Sequence, residues 1–406
     1  MSLELFLKKF SRLFSILCCF FLLMPLILPD YYGWTTLSIQ AASNSQNESS
    51  FQTNAPSALL MEASTGTILF EKDADEKKPP ASVTKVMTLL LIFDALSSGQ
   101  ITLNDTVTVS EHASSMGGSQ VFLETGETQT VETLIKCIAV ASGNDAAVAM
   151  AEYISGSEEA FVKKMNERAS KLKMNHTHFI NCCGLDADDH YTSARDIALM
   201  SRELINRYPS IFEYTTIWME NITHVTARGS SEFGLTNTNK LIRQYNGATG
   251  LKTGSTSKAG FCLSATATRN NISLIAVVMG CSSSKERIKD TSALLDHGFS
   301  ICKIYTDETP PPLPQVPVRQ GTSDILSCSY KNTFSYVTTE DFDSSKIKRK
   351  ILWNKNILAP IKKGTPVGEL IYYYKNQKIG SVLILSNQNI KKATYVHYLK
   401  KLFSAL

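Results

Sequence analysis

Residues 56 to about 305 alternate between helix-like and strand-like patterns of apolar and polar positions. Short apolar stretches bounded by turn residues predict strands, and these are Ser57–Leu60, Gly66–Phe70, Phe261–Arg269 and Ile272–Met279. Apolar residues at helical spacing predict helices, and these are Ser82–Leu96, Val131–Met150, Ser157–Lys171, Ala194–Arg207 and Lys285–His297. Pro79-Pro80 precedes the first of these helices, and Gly298 is expected to end the last. The pattern indicates a domain built from both helices and strands.

A proline-rich segment separates this region from a second one. Thr306–Gln320 contains five prolines, and neither a core helix nor a central strand tolerates that density. Beyond it, the strand-like stretches Gly368–Tyr374 and Ile379–Leu385 flank a turn at Lys375–Lys378. We therefore expect a linker over residues 306–320 and a small all-β domain over residues 321–389.

Residues 390–406 combine lysines with apolar residues at helical spacing. The lysines are Lys391, Lys392, Lys400 and Lys401, and the apolar residues are Val396, Leu399, Leu402, Phe403 and Leu406. A basic amphipathic helix of this kind can lie in an anionic membrane surface. A terminal helix that packs back on its own domain would show a similar pattern. Both interpretations, membrane anchor and packing helix, stay open.

The N-terminus has the order of a secretory signal. Lys8, Lys9 and Arg12 precede an apolar stretch over Leu13–Leu28, and the small residues at 41 and 42 offer a cleavage site. We expect a signal peptide over residues 1–42, with retention as an anchor or a buried core helix as alternatives. Ser, Asn and Gln then predict a flexible linker over residues 43–55. The rest of the chain is expected to work outside the cytoplasm.

The composition excludes several classes of protein. The 406 residues are 43% hydrophobic and 19% charged, which is not the composition of a disordered chain. Only the N-terminal stretch is apolar for long enough to suggest a membrane span, so a protein with many spans is excluded. The net charge is +4, without a broad basic patch carrying aromatic residues, so nucleic acid is not an expected partner.

Cysteine and histidine spacing gives no sign of a metal site. Seven cysteines follow the signal segment, and their spacing fits neither a zinc site nor a disulfide framework. We interpret them as buried, reduced thiols. His176 and His178 lack a third ligand cluster, and His190 is interpreted as architectural. No metal and no other cofactor is predicted.

One Ser-x-x-Lys sequence differs from the others in its surroundings. Five further pairs have this spacing, beginning at Ser170, Ser255, Ser282, Ser300 and Ser345. Ser82 and Lys85 alone lie at the start of a long apolar helix, where residues three apart share a face. A serine hydroxyl needs an adjacent base to act as a nucleophile, and a lysine can be that base when burial keeps its amine neutral.

Two more motifs follow in order along the chain. Ser142-Gly143-Asn144 comes after an apolar stretch, and Lys252-Thr253-Gly254 begins the β segment. Ser-x-x-Lys, Ser-x-Asn and Lys-Thr-Gly together are the signature of penicillin-binding proteins and serine β-lactamases. Further matching stretches are Met61–Gly66, Gly117–Ser119, Gly143–Ala147, Asn237–Leu241 and Gly250–Gly254. The chain resembles the low-molecular-mass penicillin-binding proteins of the serine D-alanyl-D-alanine carboxypeptidase family, peptidase S11.

The resemblance implies a fold and a mechanism. The expected fold is α+β, with a β-lactamase/transpeptidase-like domain over residues 56–305. This domain would hold a five-stranded antiparallel sheet flanked by helices, plus a helical lobe. Ser82 would attack the bond between two D-alanines of a peptidoglycan stem peptide, Lys85 would take its proton, and Ser142 would pass a proton to the leaving nitrogen. β-Lactam antibiotics would enter the same path and inhibit.

The resemblance also implies substrate-binding residues. Asn144 would hold the substrate amide, while Lys252 and Thr253 would bind its terminal carboxylate. Gly254 would let the backbone approach the ligand, and the N–H groups of Ser82 and Ser255 would form an oxyanion hole. Arg287 falls where the family has an arginine near the carboxylate.

Three other functions remain open at this point. A non-catalytic penicillin- or wall-binding module would keep the fold without the chemistry. A β-lactamase would need a deacylating carboxylate, and Glu203 lacks the usual Glu-x-x-Leu-Asn spacing. A D,D-endopeptidase would make the same attack on a cross-linked substrate.

Overall fold

The computed structural model describes residues 51–226 and 228–404. The predicted signal peptide and most of the predicted linker lie outside the described residues. Within them, a five-stranded antiparallel sheet lies among helices and is followed by an all-β region. The predicted α+β class is confirmed.

Nine strands belong to the first domain. They are β1 (Ser57–Glu62), β2 (Ile68–Lys72), β3 (Thr106–Thr108), β4 (Thr128–Thr130), β5 (Met219–Thr226), β6 (Gly229–Thr236), β7 (Ala248–Thr256), β8 (Gly260–Arg269) and β9 (Ile272–Cys281). The central sheet has the order β2-β1-β9-β8-β7, while β3 pairs with β4 and β5 with β6. The central strands are buried and apolar, and β7, which carries Lys252, is the strand at one edge.

The helices of this domain cover the sheet and form a lobe beside it. They are α1 (Lys85–Ser98), α2 (Glu111–Ser114), α3 (Val131–Lys136), α4 (Asn144–Ser155), α5 (Glu158–Lys171), α6 (Ala194–Arg207), α7 (Phe212–Thr215), α8 (Leu241–Gln244) and α9 (Ser284–Ile301). Helix α1 packs against α6 on the sheet side and against α4 and α5 in the lobe. With its preceding turn it is apolar and long enough to cross a membrane, so the prediction that this holds for the N-terminal stretch alone is wrong. However, 72% of this segment is buried. We therefore assign it as the core helix of the domain.

The predicted helix Val131–Met150 is wrong as a single element. Helix α3 ends at Lys136, a π-helical turn covers Cys137–Ala141, and α4 begins at Asn144. Ser142 lies between them in the left-handed region, with φ of 66°. Such a backbone ends a right-handed helix, and here it turns Ser142 and Asn144 out of what would be a regular helical face.

The prediction that Gly298 ends the last helix is also wrong. Helix α9 continues through Gly298 to Ile301. A Cβ at residue 298 would lie 2.7 Å from a methyl group of Leu274 and 2.8 Å from one of Leu60. Glycine is therefore used here for close packing of the helix on the sheet, and not as a cap.

The all-β region follows α9. Its strands are β10 (Lys303–Thr306), β11 (Val316–Pro317), β12 (Ile325–Leu326), β13 (Cys328–Tyr330), β14 (Ser335–Thr338), β15 (Lys348–Trp353), β16 (Pro366–Tyr374) and β17 (Gln377–Ser386). Four of them form the sheet β13-β17-β16-β15. The predicted strand pair and its tight turn are confirmed in β16 and β17. The last described helix, α10, covers Tyr395–Ser404.

Candidate active site

Ser82 and Lys85 meet at the start of α1. Ser82 lies in a single 3₁₀ turn, Ala81–Thr84, and Lys85 is the first residue of the α-helix. The Lys85 side chain is fully buried, and its Nζ donates to Ser82 Oγ at 3.1 Å. The predicted i, i+3 contact is therefore present, although the serine precedes the α-helix and is not part of it.

The Lys85 amine is held by oxygens that carry no formal charge. Besides Ser82, Nζ donates to Asn144 Oδ1 at 2.5 Å and to the carbonyl oxygen of Cys183 at 2.8 Å. Burial lowers the pKa of Lys85, and the neighbouring acidic groups, with Asp145 among them, oppose this only in part. A lowered pKa favours the neutral amine, which can accept a proton from the serine.

Asn144 is fixed on three sides. Its Nδ2 donates to the carbonyl oxygen of Gly117 at 2.6 Å, and its backbone N–H donates to Ser119 at 2.7 Å. Its Oδ1 is the atom that accepts from Lys85. The loop at residues 117–119 therefore forms the wall of the site opposite Lys85.

Ser142 is placed beside this wall with a free hydroxyl. The residue is 3% exposed, and within residues 51–226 and 228–404 no group hydrogen bonds to its Oγ. Buried polar atoms normally have a partner. An unpaired hydroxyl in a buried position can accept and donate a proton when a ligand enters.

Lys252 and Thr253 form the other side of the site on β7. Lys252 is 1% exposed, and burial lowers its pKa well below the usual range, helped by the charges of Lys85 and Arg287. Its Nζ donates to the carbonyl oxygen of Thr253 at 3.1 Å. The Thr253 hydroxyl lies 2.7 Å from that of Thr238. The two lysines are thus close enough to affect each other's protonation.

Two glycines allow the chain to come close to Ser82. A Cβ at Gly254 would lie 3.0 Å from the backbone nitrogen of Ser82, and one at Gly184 would lie 1.8 Å from the carbonyl oxygen of Ala81. Side-chain atoms do not approach backbone atoms so closely. Strand β7, which carries Ser255, and the loop of residues 181–185 therefore both press on the serine turn, where the implied oxyanion hole would be.

Arg287 lies behind β7. Its guanidinium is buried, with the residue 6% exposed, and it donates to the carbonyl oxygens of Gly254 at 3.3 Å and Cys262 at 3.2 Å. The Nε nitrogen of Arg287 has no hydrogen-bond partner within the described part of the chain. Arg287 is therefore not a surface residue, and it reaches the site through the backbone of Gly254.

His190 has both ring nitrogens occupied. Its Nδ1 accepts from the backbone N–H of Ile180 at 3.0 Å, so the Nε2 proton points to the Thr84 hydroxyl, also at 3.0 Å. Burial lowers the pKa of His190 to about 4. The ring is neutral at pH 7 and joins the serine turn to the loop after α5, which agrees with an architectural role.

The chain is similar to known protein families over both of its domains. A family model described as D-alanyl-D-alanine carboxypeptidase, peptidase S11, matches residues 41–283. The chain belongs to this family. A model of the C-terminal domain of penicillin-binding protein 5 matches residues 299–392.

Individual members of the family support the assignment over most of the chain. D-alanyl-D-alanine carboxypeptidase DacF of Bacillus subtilis is 41% identical over 365 residues, which are 89% of this chain and 92% of that protein. DacA of Escherichia coli is 34% identical, covering 87% and 88%. Penicillin-binding protein 5 of Haemophilus influenzae has a similar structure, with a TM-score of 0.63 at 30% identity, covering 84% of this chain and 99% of that one.

Sequence reasoning missed several residues that hold the peptidase S11 site together. Asn181 accepts from the backbone N–H groups of Cys183, Gly184 and Leu185, which fixes the carbonyl oxygen that Lys85 contacts. The buried Asp145 accepts from the N–H groups of Val121 and Leu123 at 3.0 and 3.1 Å. Asp145 lies in the matching stretch Gly143–Ala147, but its partners are distant in sequence and no spacing reveals them. The contacts of Asn181 are local, and only the fold shows that they position the oxygen that Lys85 contacts.

Proposed function

We propose that this chain removes the terminal D-alanine from peptidoglycan stem peptides through an acyl-enzyme on Ser82. The observation that supports this most strongly is the buried Lys85 amine, which lies 3.1 Å from the Ser82 hydroxyl. Among the described residues, its hydrogen-bond partners are all uncharged oxygens. A nucleophile beside a base with a lowered pKa is the arrangement that acyl transfer requires. Membership of the D-alanyl-D-alanine carboxypeptidase family supports the same reaction.

The reaction begins with proton transfer from Ser82 to neutral Lys85. Ser82 Oγ then attacks the carbonyl carbon between the two D-alanines, and the N–H groups of Ser82 and Ser255 stabilise the negative oxygen. Ser142 passes a proton to the D-alanine nitrogen as the C–N bond breaks. Water then attacks the ester, which releases the shortened peptide and restores the serine.

Other residues position the substrate. Asn144 holds its amide group, and Lys252 with Thr253 binds the terminal carboxylate. Burial lowers the pKa of Lys252, but the negative carboxylate beside it favours the charged amine, and a cation with a hydroxyl binds a carboxylate well. Gly254 lets the backbone approach, and Arg287 adds positive charge behind that strand. A β-lactam ring would be opened by the same attack and then leave slowly, which makes it an inhibitor.

The decisive experiment measures product and adduct on the purified mature protein. We expect D-alanine release from a pentapeptide ending in D-Ala-D-Ala, and complete inhibition after incubation with benzylpenicillin. Peptide mass spectrometry should place one penicilloyl group on Ser82. An absence of both D-alanine and adduct would reject the enzyme in favour of a binding module.

The structure does not favour a class A β-lactamase mechanism. Glu203, the nearest candidate for the deacylating carboxylate in the sequence, accepts from Arg168 at 2.7 Å and from Arg207 at 3.5 Å. These pairs hold its carboxylate in an ion network on α5 and α6. We therefore expect slow release of the penicilloyl group.

We further propose that the protein works outside the cytoplasm and that α10 binds the membrane. The predicted signal peptide supports export. On α10, Tyr395, Val396, Leu402 and Phe403 are exposed by 78%, 59%, 64% and 75%. Apolar side chains so exposed on a short helix do not pack back on their own domain, and they fit the apolar face of an interfacial helix.

Replacing both Leu402 and Phe403 with Glu is expected to move most of the protein from membrane to soluble fractions of cells. Each apolar side chain buried in lipid contributes about 1.5–3 kcal/mol. Met219→Glu is the matched control, because Met219 is also 64% exposed but lies on β5. Unchanged membrane binding of the double variant would assign the anchor to the N-terminal segment instead.

A further inference from the structure

Two adjacent cysteines and a glutamate meet directly behind Lys85. Cys182 Sγ and Cys183 Sγ are 3.7 Å apart, and both thiols are buried. Their sulfurs and a carboxylate oxygen of Glu158 all lie within 4.8 Å of one another. Cysteine and histidine spacing could not indicate this cluster, because its third member is a glutamate. Glu158 precedes Cys182 by 24 residues and lies in the first turn of α5.

We propose that Glu158, Cys182 and Cys183 form a binding site for a thiophilic divalent cation, Zn²⁺ or Cd²⁺. Zn–S bonds of about 2.3 Å with tetrahedral angles require sulfurs roughly 3.8 Å apart. The observed separation of 3.7 Å meets this requirement without movement of the two side chains. Three protein ligands leave the fourth position to a small ligand from solution.

The surroundings of Glu158 resemble those of a metal ligand. One carboxylate oxygen accepts from the backbone N–H of Cys182 at 3.0 Å, and the other lies 3.0 Å from His112 Nε2. An outer partner that orients a ligating carboxylate is typical of metal sites. The Glu158 side chain is 12% exposed and that of His112 is 51% exposed, so the cluster has a route to solvent on this side.

A disulfide between the two cysteines is a poorer explanation of the pair. Adjacent Cα atoms across a trans peptide are about 3.8 Å apart, which is shorter than ordinary disulfides allow. A cation can displace both protons, because it compensates the charge of the thiolates it binds.

Occupation of this site would act on Lys85 through geometry. Cys183 supplies the carbonyl oxygen that Lys85 contacts, and its thiol donates to the carbonyl oxygen of Asn144 at 3.5 Å. Charge does not change, since a carboxylate with two neutral thiols carries −1, as does a carboxylate with two thiolates and a divalent cation. The cation replaces the proton that the Cys183 thiol donates to the Asn144 backbone. Asn144, whose side chain holds the Lys85 amine, loses this hydrogen bond, and we expect Ser82 acylation to slow by about tenfold or more.

Cadmium titration of the reduced mature protein tests the binding, because the predicted signal peptide carries another adjacent pair, Cys18 and Cys19. We expect ultraviolet cadmium–thiolate absorption that saturates at one ion per chain. Replacing both Cys182 and Cys183 with Ser should abolish it, and Glu158→Gln should weaken binding roughly 10- to 100-fold. Cys328→Ser is the matched control, because Cys328 is a partly exposed thiol in the second domain, and it should leave the absorption unchanged.

Measurements on the unaltered protein keep the test independent of variant folding. Anomalous diffraction from crystals grown with Cd²⁺ should place the ion between Glu158 and the two sulfurs. No thiolate absorption in the wild type, or equal absorption in the double cysteine variant, would overturn the site. Binding without slower penicillin acylation would overturn the link to Lys85, which rests on the proposed function. Failure of acylation without metal would overturn that function and leave the cadmium result standing.

Discussion

Lys85→Met is expected to lower the rate of penicillin acylation at Ser82 on the order of 10²- to 10⁴-fold, the usual contribution of a positioned general base. Methionine keeps an unbranched side chain of similar length but cannot accept the serine proton. Rapid-mixing kinetics with a fluorescent penicillin would measure the change. Lys173→Met is the matched control, since Ser170 and Lys173 have the same spacing in an exposed position, and an equal rate in both variants would contradict the role of Lys85.

The wild-type rate should depend on pH in a defined direction. Burial lowers the pKa of Lys85, so the amine is neutral at lower pH than an ordinary lysine would be. Acidification protonates it, and an ammonium group cannot take the serine proton. Acylation should therefore slow as pH falls through this lowered pKa, and Lys85→Met should lose that limb of the profile.

Gly184→Ala is expected to destabilise the protein by about 2–5 kcal/mol and to stop acylation. The new Cβ would lie 1.8 Å from the carbonyl oxygen of Ala81, at a φ of +87°. Left-handed backbone costs a non-glycine residue about 1–2 kcal/mol, and overpacking adds about 1–3 kcal/mol. The serine turn would have to move, which separates Ser82 from β7. Unfolding in denaturant and penicillin labelling would measure both effects.

Gly126→Ala provides the control for backbone strain alone. Gly126 has a φ of +81°, and apart from its two chain neighbours no described residue has an atom within 4 Å of the position its Cβ would take. We expect a loss of about 1–2 kcal/mol and normal acylation. Equal effects of the two substitutions would show that close approach to Ala81 is not what requires glycine at residue 184.

The motif residues could be predicted because their chemistry is written in short local patterns. Ser82 and Lys85 are neighbours at the start of α1. Ser142 and Asn144 are neighbours where the helix breaks before α4. The break itself could not be predicted, because residues 131–150 are apolar at helical spacing and nothing local shows that Ser142 adopts left-handed backbone. The role of Gly298 could not be predicted for the same reason, because glycine is required there by close packing against Leu60 and Leu274.

The sequence pattern also does not predict strands made of polar residues or contacts between residues distant in sequence. The hairpin of β5 and β6 is mostly exposed, including all of residues 229–232 at the start of β6, so its apolar pattern is too weak to predict strands. The vicinal cysteines were interpreted only as buried thiols, and they are buried. Their closeness to Glu158 and Lys85 depends on how the loop of residues 181–185 folds against α1 and α5.

The pairing of β1 with β9 has a consequence for biosynthesis. Ser57 lies opposite Met279, and Glu62 opposite Leu274. Strand β1 therefore cannot form this pairing until β9 has been synthesised. A chain that emerges from the ribosome or a translocation channel with its N-terminus first must keep this apolar segment unpaired until nearly the whole domain has followed. Such non-local topologies fold slowly and expose aggregation-prone edges. We therefore expect chaperones that bind nascent polypeptides to be most important for shielding β1 before residue 281 has been synthesised.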